Sequence, residues 1–387
     1  MLVDLHAHYP MHVLPPDRAN TRTAVRARRP GGRWKAVVVD LLSRLFNYEG
    51  PGDTPSVTVE LMRDGDVGAI LSVLYSPFDE MDLDLPYGAP PRPGYMDSLL
   101  DQMDRVEAHV AAEPLGATVA RDPAALDAAI AAGQRAIVHC IEGGFALGAT
   151  PAEVDANVAM LARRGVAYVT LAHLFWREVA TNAPALPFMP DKLYRLVFGE
   201  PDVGLTDLGR AAATAMAREG VLVDITHMSD RAVDETFTTL APDVPVIASH
   251  MACRFDSSAE YNLRDETIRE IARRRGVMGV IVCEHWAGIG PPKRKPRSFE
   301  DSLELICAHI DRIVQVTGSH DHAAIGSDLD GWIKPALPGL EHLGRMRQLQ
   351  DALATRYGAE VAAKIAGGNA LDLLRRAWRG SVGVYPH

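Results

Sequence analysis

Residues 221–250 read VLVDITHMSDRAVDETFTTLAPDVPVIASH. Two apolar, β-branched runs, 221–227 and 244–250, flank an amphipathic segment at 230–240 that opens on Ser229-Asp230. Runs apolar on both faces are strands covered on both sides, and a helix between two of them lets the second lie parallel to the first. Both runs end in histidine, His227 and His250.

The same alternation extends in both directions along the chain. Residues 2–6, 68–75, 136–141, 167–173, 277–283 and 323–328 read as six more strands. Helices are expected over 95–112, 124–132, 152–164, 206–219, 264–274 and 299–316, with Thr206, Ser229 and Ser298 as helix-opening caps. Eight strand–helix units in one chain predict a closed (β/α)8 barrel of the TIM type. No glycine-rich phosphate-binding loop follows the first strand, so a nucleotide fold has no positive support.

The 387 residues, 47% hydrophobic and 23% charged, exclude a disordered or fibrous chain. They are read as a single barrel domain over 1–387. Residues 15–34, 85–94 and 186–202 are read as loop insertions, and 340–378 as C-terminal helices on the outside. A net charge of −10 argues against a nucleic-acid partner. Cys140, Cys253, Cys283 and Cys307 form no C-x-x-C pair and read as reduced thiols. No apolar run reaches the roughly 18 residues needed to span a bilayer, and no secretory leader opens the chain. A cytoplasmic protein without a membrane partner is expected.

Ionisable residues gather at the carboxyl ends of the strands. The first ends in His6-Ala7-His8 and the third in Glu142-Gly143-Gly144; the fourth ends at His173. The fifth ends at His227, the sixth at His250 and the last at Asp328. That rim of a barrel is where chemistry sits. One such residue alone reads as a satisfied polar group, but six strand ends in register do not. His6 and His8 share one face because strand side chains repeat every second residue, and imidazoles suit a divalent ion such as Zn²⁺. Glu142 can bridge two metals, and its two following glycines let the backbone turn tightly. Asp328 can ligate a metal or move a proton. His173 can donate to an oxyanion. Asp330 is expected to turn its loop, and no role falls to His139.

These residues resemble the membrane dipeptidase family, peptidase family M19, whose members are dizinc (β/α)8 hydrolases. The specific pieces are Ile141-Glu142-Gly143-Gly144, Val223-Asp224-Ile225-Thr226-His227, Val246-Ile247-Ala248-Ser249-His250 and Ile325-Gly326-Ser327-Asp328, with a match running from about Arg135 to Arg376. The resemblance implies two divalent ions, expected to be zinc. Glu142 would bridge them, with His6 and the residue two along on one ion and His227 and His250 on the other. It further implies His173 at the substrate's tetrahedral intermediate, Asp328 as proton shuttle, a dipeptide or small-molecule substrate, and compatibility with a homodimer. Two departures stand out. The family's first-strand His-x-Asp is His6-x-His8 here. Its carboxylate-holding Arg before an Asn is Tyr261 before Asn262, which leaves Arg254 or Arg264 as a candidate substrate-binding cation. Both departures also suit a hydrolase of cyclic amides, lactones or acylated small molecules. An inactive metal- or metabolite-binding relative is the reading from another class.

Overall fold

The computed structural model describes residues 1–13, 41, 54–75, 80, 94–186, 189–199, 201, 203–291, 295–331 and 336–380. Among the described residues nine strands form one sheet: β1 (Leu2–Ala7), β2 (Val67–Leu74), β3 (Ala117–Val119), β4 (Arg135–Glu142), β5 (Tyr168–Thr170), β6 (Leu222–Asp224), β7 (Val246–Met251), β8 (Val277–Val280) and β9 (Ala323–Ile325). All pairings are parallel. β2 pairs β4 from Ala69↔Ala136 to Leu74↔Ile141, and β1 pairs β9 at Asp4↔Ile325, so eight strands close into a ring. The barrel expected from the strand–helix alternation is therefore the fold.

All eight predicted strands lie in that ring. The ninth, β3, escapes sequence reading. It is three half-buried residues long and takes the amino-terminal half of a β4 edge whose carboxyl-terminal end pairs with β5. The strands ending in His173, His227 and Asp328 stop earlier than predicted, at Thr170, Asp224 and Ile325. For two of them the backbone shows that the strand cannot run on to the named residue: His227 and Asp328 have φ of 66° and 57°, values no strand residue takes.

Helices follow most strands. Thr206, Ser229 and Ser298 cap theirs as predicted, each side chain accepting the amide three residues on. The stretch 186–202, expected to be an insertion without regular structure, contains the helix Asp191–Phe198, which buries Tyr194, Val197 and Phe198. Its apolar positions, too few for a secure period, settle as a helix because that face is covered. Within the C-terminal helical stretch expected over 340–378, the first long helix is Met346–Tyr357, preceded by the short turn Leu343–Arg345. The segment after it is interrupted by a wide turn at Lys364–Gly368. Insertion 15–34 lies outside the described residues, as does 85–94 apart from Gly94. Among the described residues no helix is long and apolar enough to cross a membrane.

Strand residues around the ring, among them Val3, Ala69, Val138, Leu222, Ile247 and Ala324, join Leu373, Leu374 and Trp378 in one buried apolar cluster. This packing leaves the carboxyl rim as the place where polar side chains converge.

Candidate metal centre

Six strand-end residues and His8 meet at one point. Glu142 Oε1 lies 3.5 Å from Nε2 of His6, His227 and His250, and 3.4 Å from Nε2 of His173. Its other oxygen is 3.6 Å from His8 Nε2. His6 and His8 approach to 3.2 Å through Nε2, and His227 and His250 to 3.1 Å. Asp328 Oδ1 stands 3.1 Å from His8 Nε2 and 3.7 Å from His6 Nε2. All seven side chains are buried. Three overlapping trios have the spacing of a metal site: His6, His8 and Glu142; Glu142, His227 and His250; and His6, His250 and Asp328.

The local backbone explains the convergence. Asp4, buried in β1, accepts the amides of His6 and Ser327, and the Asp328 amide donates to the His6 carbonyl at 2.8 Å. These bonds tie the last strand to the first and set Asp328 beside both histidines. Gly143 turns the chain just past Glu142 with φ 100°, and a Cβ there would strike the Phe145 ring. Gly331 leaves room at the centre, since a Cβ at that position would fall 1.9 Å from Asp328 Oδ1. Asp330, expected to turn its own loop, reaches a distant segment of the chain and accepts the amides of Ser56 and Val57.

Outer partners fix which nitrogen faces inward. Tyr168 donates its hydroxyl proton to the Leu5 carbonyl, so its oxygen accepts His6 Nδ1–H at 2.7 Å. Ser249 donates to Asp224 Oδ2 at 2.5 Å, so its oxygen accepts His250 Nδ1–H at 2.8 Å. The Asp224 carboxylate also accepts Thr170 and Thr226 hydroxyls and the amides of Thr226 and Ser249. His6 and His250 therefore point an Nε2 lone pair into the cluster. Burial, reinforced by neighbouring imidazoles, holds both far below the ordinary histidine range. His227 is lowered to about 4 by burial and then by His173. Burial opposes ionisation of Glu142 as well, but His173 and the other imidazoles hold its carboxyl well below the usual range.

This donor set fits a pair of divalent cations. Two nitrogen lone pairs and two carboxylates face one another in a buried space, an excess of acceptors that a cation satisfies. His6, His8 and Glu142 would hold one ion, and Glu142, His227 and His250 the other. Borderline nitrogen donors with one bridging carboxylate suit zinc. Ser249→Ala removes the acceptor that orients His250. It is expected to weaken metal binding about ten- to a hundredfold, read by competition with a chromogenic chelator.

His173 is built differently. Its Nδ1 donates to Glu80 Oε2 at 2.5 Å, while the other Glu80 oxygen accepts the amides of Leu174 and Phe175. Burial pulls this imidazole down, yet Glu142 and Glu80 outweigh it and hold it up at about 9, protonated at neutral pH. Burial raises Asp328 to about 6, against the hydrogen bond from His8. Glu80, Tyr168, Ser249 and Asp224 carry no role in the sequence reading. Glu80 stands six residues past the end of β2, beyond any strand-end rule, and the other three act through partners that only the folded chain supplies.

The three candidate substrate contacts separate. Tyr261 reaches the centre, its ring edge-on to His227 at 5.0 Å, and donates its hydroxyl to the His250 carbonyl at 2.8 Å. Asn262 is buried and donates to the Trp286 carbonyl. Arg254 turns to Asp230 through two 2.7 Å bonds and to the carbonyls of Glu260 and Asn262.

A parallel (β/α)8 barrel with histidines and carboxylates converging at its carboxyl rim defines a barrel with a candidate metal centre. Within that class, the sequence profile of the membrane dipeptidase family (peptidase family M19) matches residues 39–380, and the chain belongs to that family. An uncharacterised dipeptidase of Schizosaccharomyces pombe is 30% identical over 230 residues, 59% of this chain and 50% of that protein. Dipeptidase 3 of Rattus norvegicus is 26% identical over 333 residues, 82% of this chain and 58% of that protein. The chain thus spans between half and three-fifths of the length of these two curated relatives. Among solved structures, dipeptidase AC, a family M19 metallopeptidase, superposes with a TM-score of 0.72 at 19% identity, covering 97% of this chain and 98% of its own. A Rhodobacter sphaeroides metallopeptidase, solved with a phosphinate mimic of the dipeptide L-Ala-D-Ala, gives 0.70 at 20% identity, covering 97% and 99%. The profile match begins after β1, so the structure itself brings His6 and His8 to the site.

Proposed function

We propose that the chain is a binuclear metal-dependent hydrolase, with zinc as its metal, that cleaves the peptide bond of dipeptides or a related small amide. The observation that carries this is the convergence of four histidine Nε2 atoms on Glu142, with Asp328 beside them. Two bound divalent ions supply Lewis acidity and bring the pKa of a water toward neutrality. The side chains do the rest. Asp328, buried at the edge of the cluster, takes the attacking water's proton and delivers it to the leaving nitrogen. His173 donates its inward Nε2–H to the oxyanion that develops on the substrate carbonyl, a contribution of about 3 to 4 kcal/mol for one well-placed donor. Glu80 holds that ring in place and keeps it charged.

Metal content and turnover test this reading. The purified chain is expected to bind two zinc ions by plasma mass spectrometry. Chelation should abolish hydrolysis of a dipeptide and amide panel and lower Tm, because a ligand held at a hundred times its Kd stabilises the folded state by about 2.7 kcal/mol. A chain that binds no metal, or that hydrolyses equally well without it, would overturn the proposal.

A further inference from the structure

We infer that the substrate group on the His227 side of the centre is neutral and apolar, selected by Tyr261, Trp286 and the cavity beyond them. This inference rests on the hydrolase reading and names its substrate class. Tyr261 is 1% exposed, and its hydroxyl is engaged by the His250 carbonyl, so it offers no free donor. Trp286 lies against that ring at 4.2 Å and 30°, so the two rings form an uncharged aromatic wall beside the His227 imidazole. Asn262 fixes the tryptophan's backbone through its carbonyl. Beyond Trp286 opens a cavity of about 530 Å³, apolar at Leu186, Met189, Trp286 and Ile289 and polar at Ser257, Ser258 and His285. Its volume falls in the range of small-molecule sites, roughly 300 to 1,000 Å³.

Charge around this wall points the same way. A substrate carboxylate buried here needs a guanidinium or ammonium partner, without which its desolvation is uncompensated. The described arginines nearby are committed to the protein. Arg254 pairs with Asp230, Arg264 with Asp234 and Arg195 with Glu260. Arg177 donates to the carbonyls of Trp176 and Glu80. The cavity wall also carries one acidic and one basic residue, Asp191 and Lys192.

The test uses the zinc-loaded full chain and matched substrates: Ala-Ala and Ala-Phe as free acids, and both with amidated C-termini. The expected result is that amides are cleaved at least as well as free acids. The phenylalanine amide should also exceed the alanine amide about ten- to a hundredfold in kcat/KM. Ile289→Trp, which fills the cavity, should reduce that preference mainly through KM. Faster cleavage of the free acids would overturn this inference while leaving the hydrolase reading intact; loss of that preference in Lys192→Ala would show which cation reads the carboxylate. If none of the four is hydrolysed, the hydrolase reading fails on these substrates, and calorimetric titration of the same pairs decides the inference separately. Tighter binding of the phenylalanine amide supports it, and equal or tighter binding of the free acid overturns it.

Discussion

Asp328→Asn is expected to lower turnover about a hundred- to ten-thousandfold while both ions stay bound, the range that a positioned general base contributes. The substitution keeps shape and removes only the ability to accept a proton. Asp328 occupies a left-handed backbone position at φ 57°, a conformation asparagine tolerates well, so the loop should hold. Its carboxyl titrates near 6 because burial opposes ionisation, and bound cations would draw that value lower. The working form is the ionised one, so with the cations bound wild-type activity should fall along an acid limb that lies below about 6. The variant should lack that acid limb. Metal analysis separates this role from ligation, since an Asp328 oxygen also sits within one potential ligand trio. Loss of an ion together with activity would make Asp328 a metal ligand, and undiminished turnover would remove it from the mechanism.

Glu142→Gln should have an equally large effect by another route. Glu142 Oε1 faces His6, His227 and His250 while Oε2 faces His8, so one carboxylate belongs to both candidate ion sites. Glutamine preserves volume but offers one neutral acceptor. Metal content is expected to fall from two ions to one or none. Turnover should drop about a thousandfold or more, since a metal's charge stabilisation is worth several kcal/mol and each 1.36 kcal/mol is tenfold in rate. A variant that kept two ions would show that the pair is not bridged through Glu142.

Five of the centre's residues were legible because each ends an apolar run, and strand ends of a parallel barrel share one rim: His6, His173, His227, His250 and Asp328. His8 follows from the two-residue repeat, and Glu142 from the glycines behind it. The supporting residues were not legible in the same way. Tyr168 and Ser249 sit inside strands, where their hydroxyls look like ordinary core polarity. Nothing in the order of residues says that one meets His6 and the other His250. Glu80 is further removed, reaching His173 across 93 positions of sequence. Arg254 shows the converse: a cation well placed along the chain, yet engaged by Asp230, 24 residues earlier.

What the sequence determined by itself was the periodic part: apolar runs alternating with amphipathic segments dictate strands, helices and their closure, and place the ligand-bearing residues at one end. Tertiary structure alone decided the directional part. Which imidazole nitrogen faces inward, which carboxylate charges His173, and whether an arginine remains for substrate all depend on hydrogen bonds between residues far apart in the chain. Such bonds form at about 3 Å and within narrow angles. Hydrophobic patterning is non-directional and survives in one dimension, whereas hydrogen-bond partners are chosen only when the barrel closes.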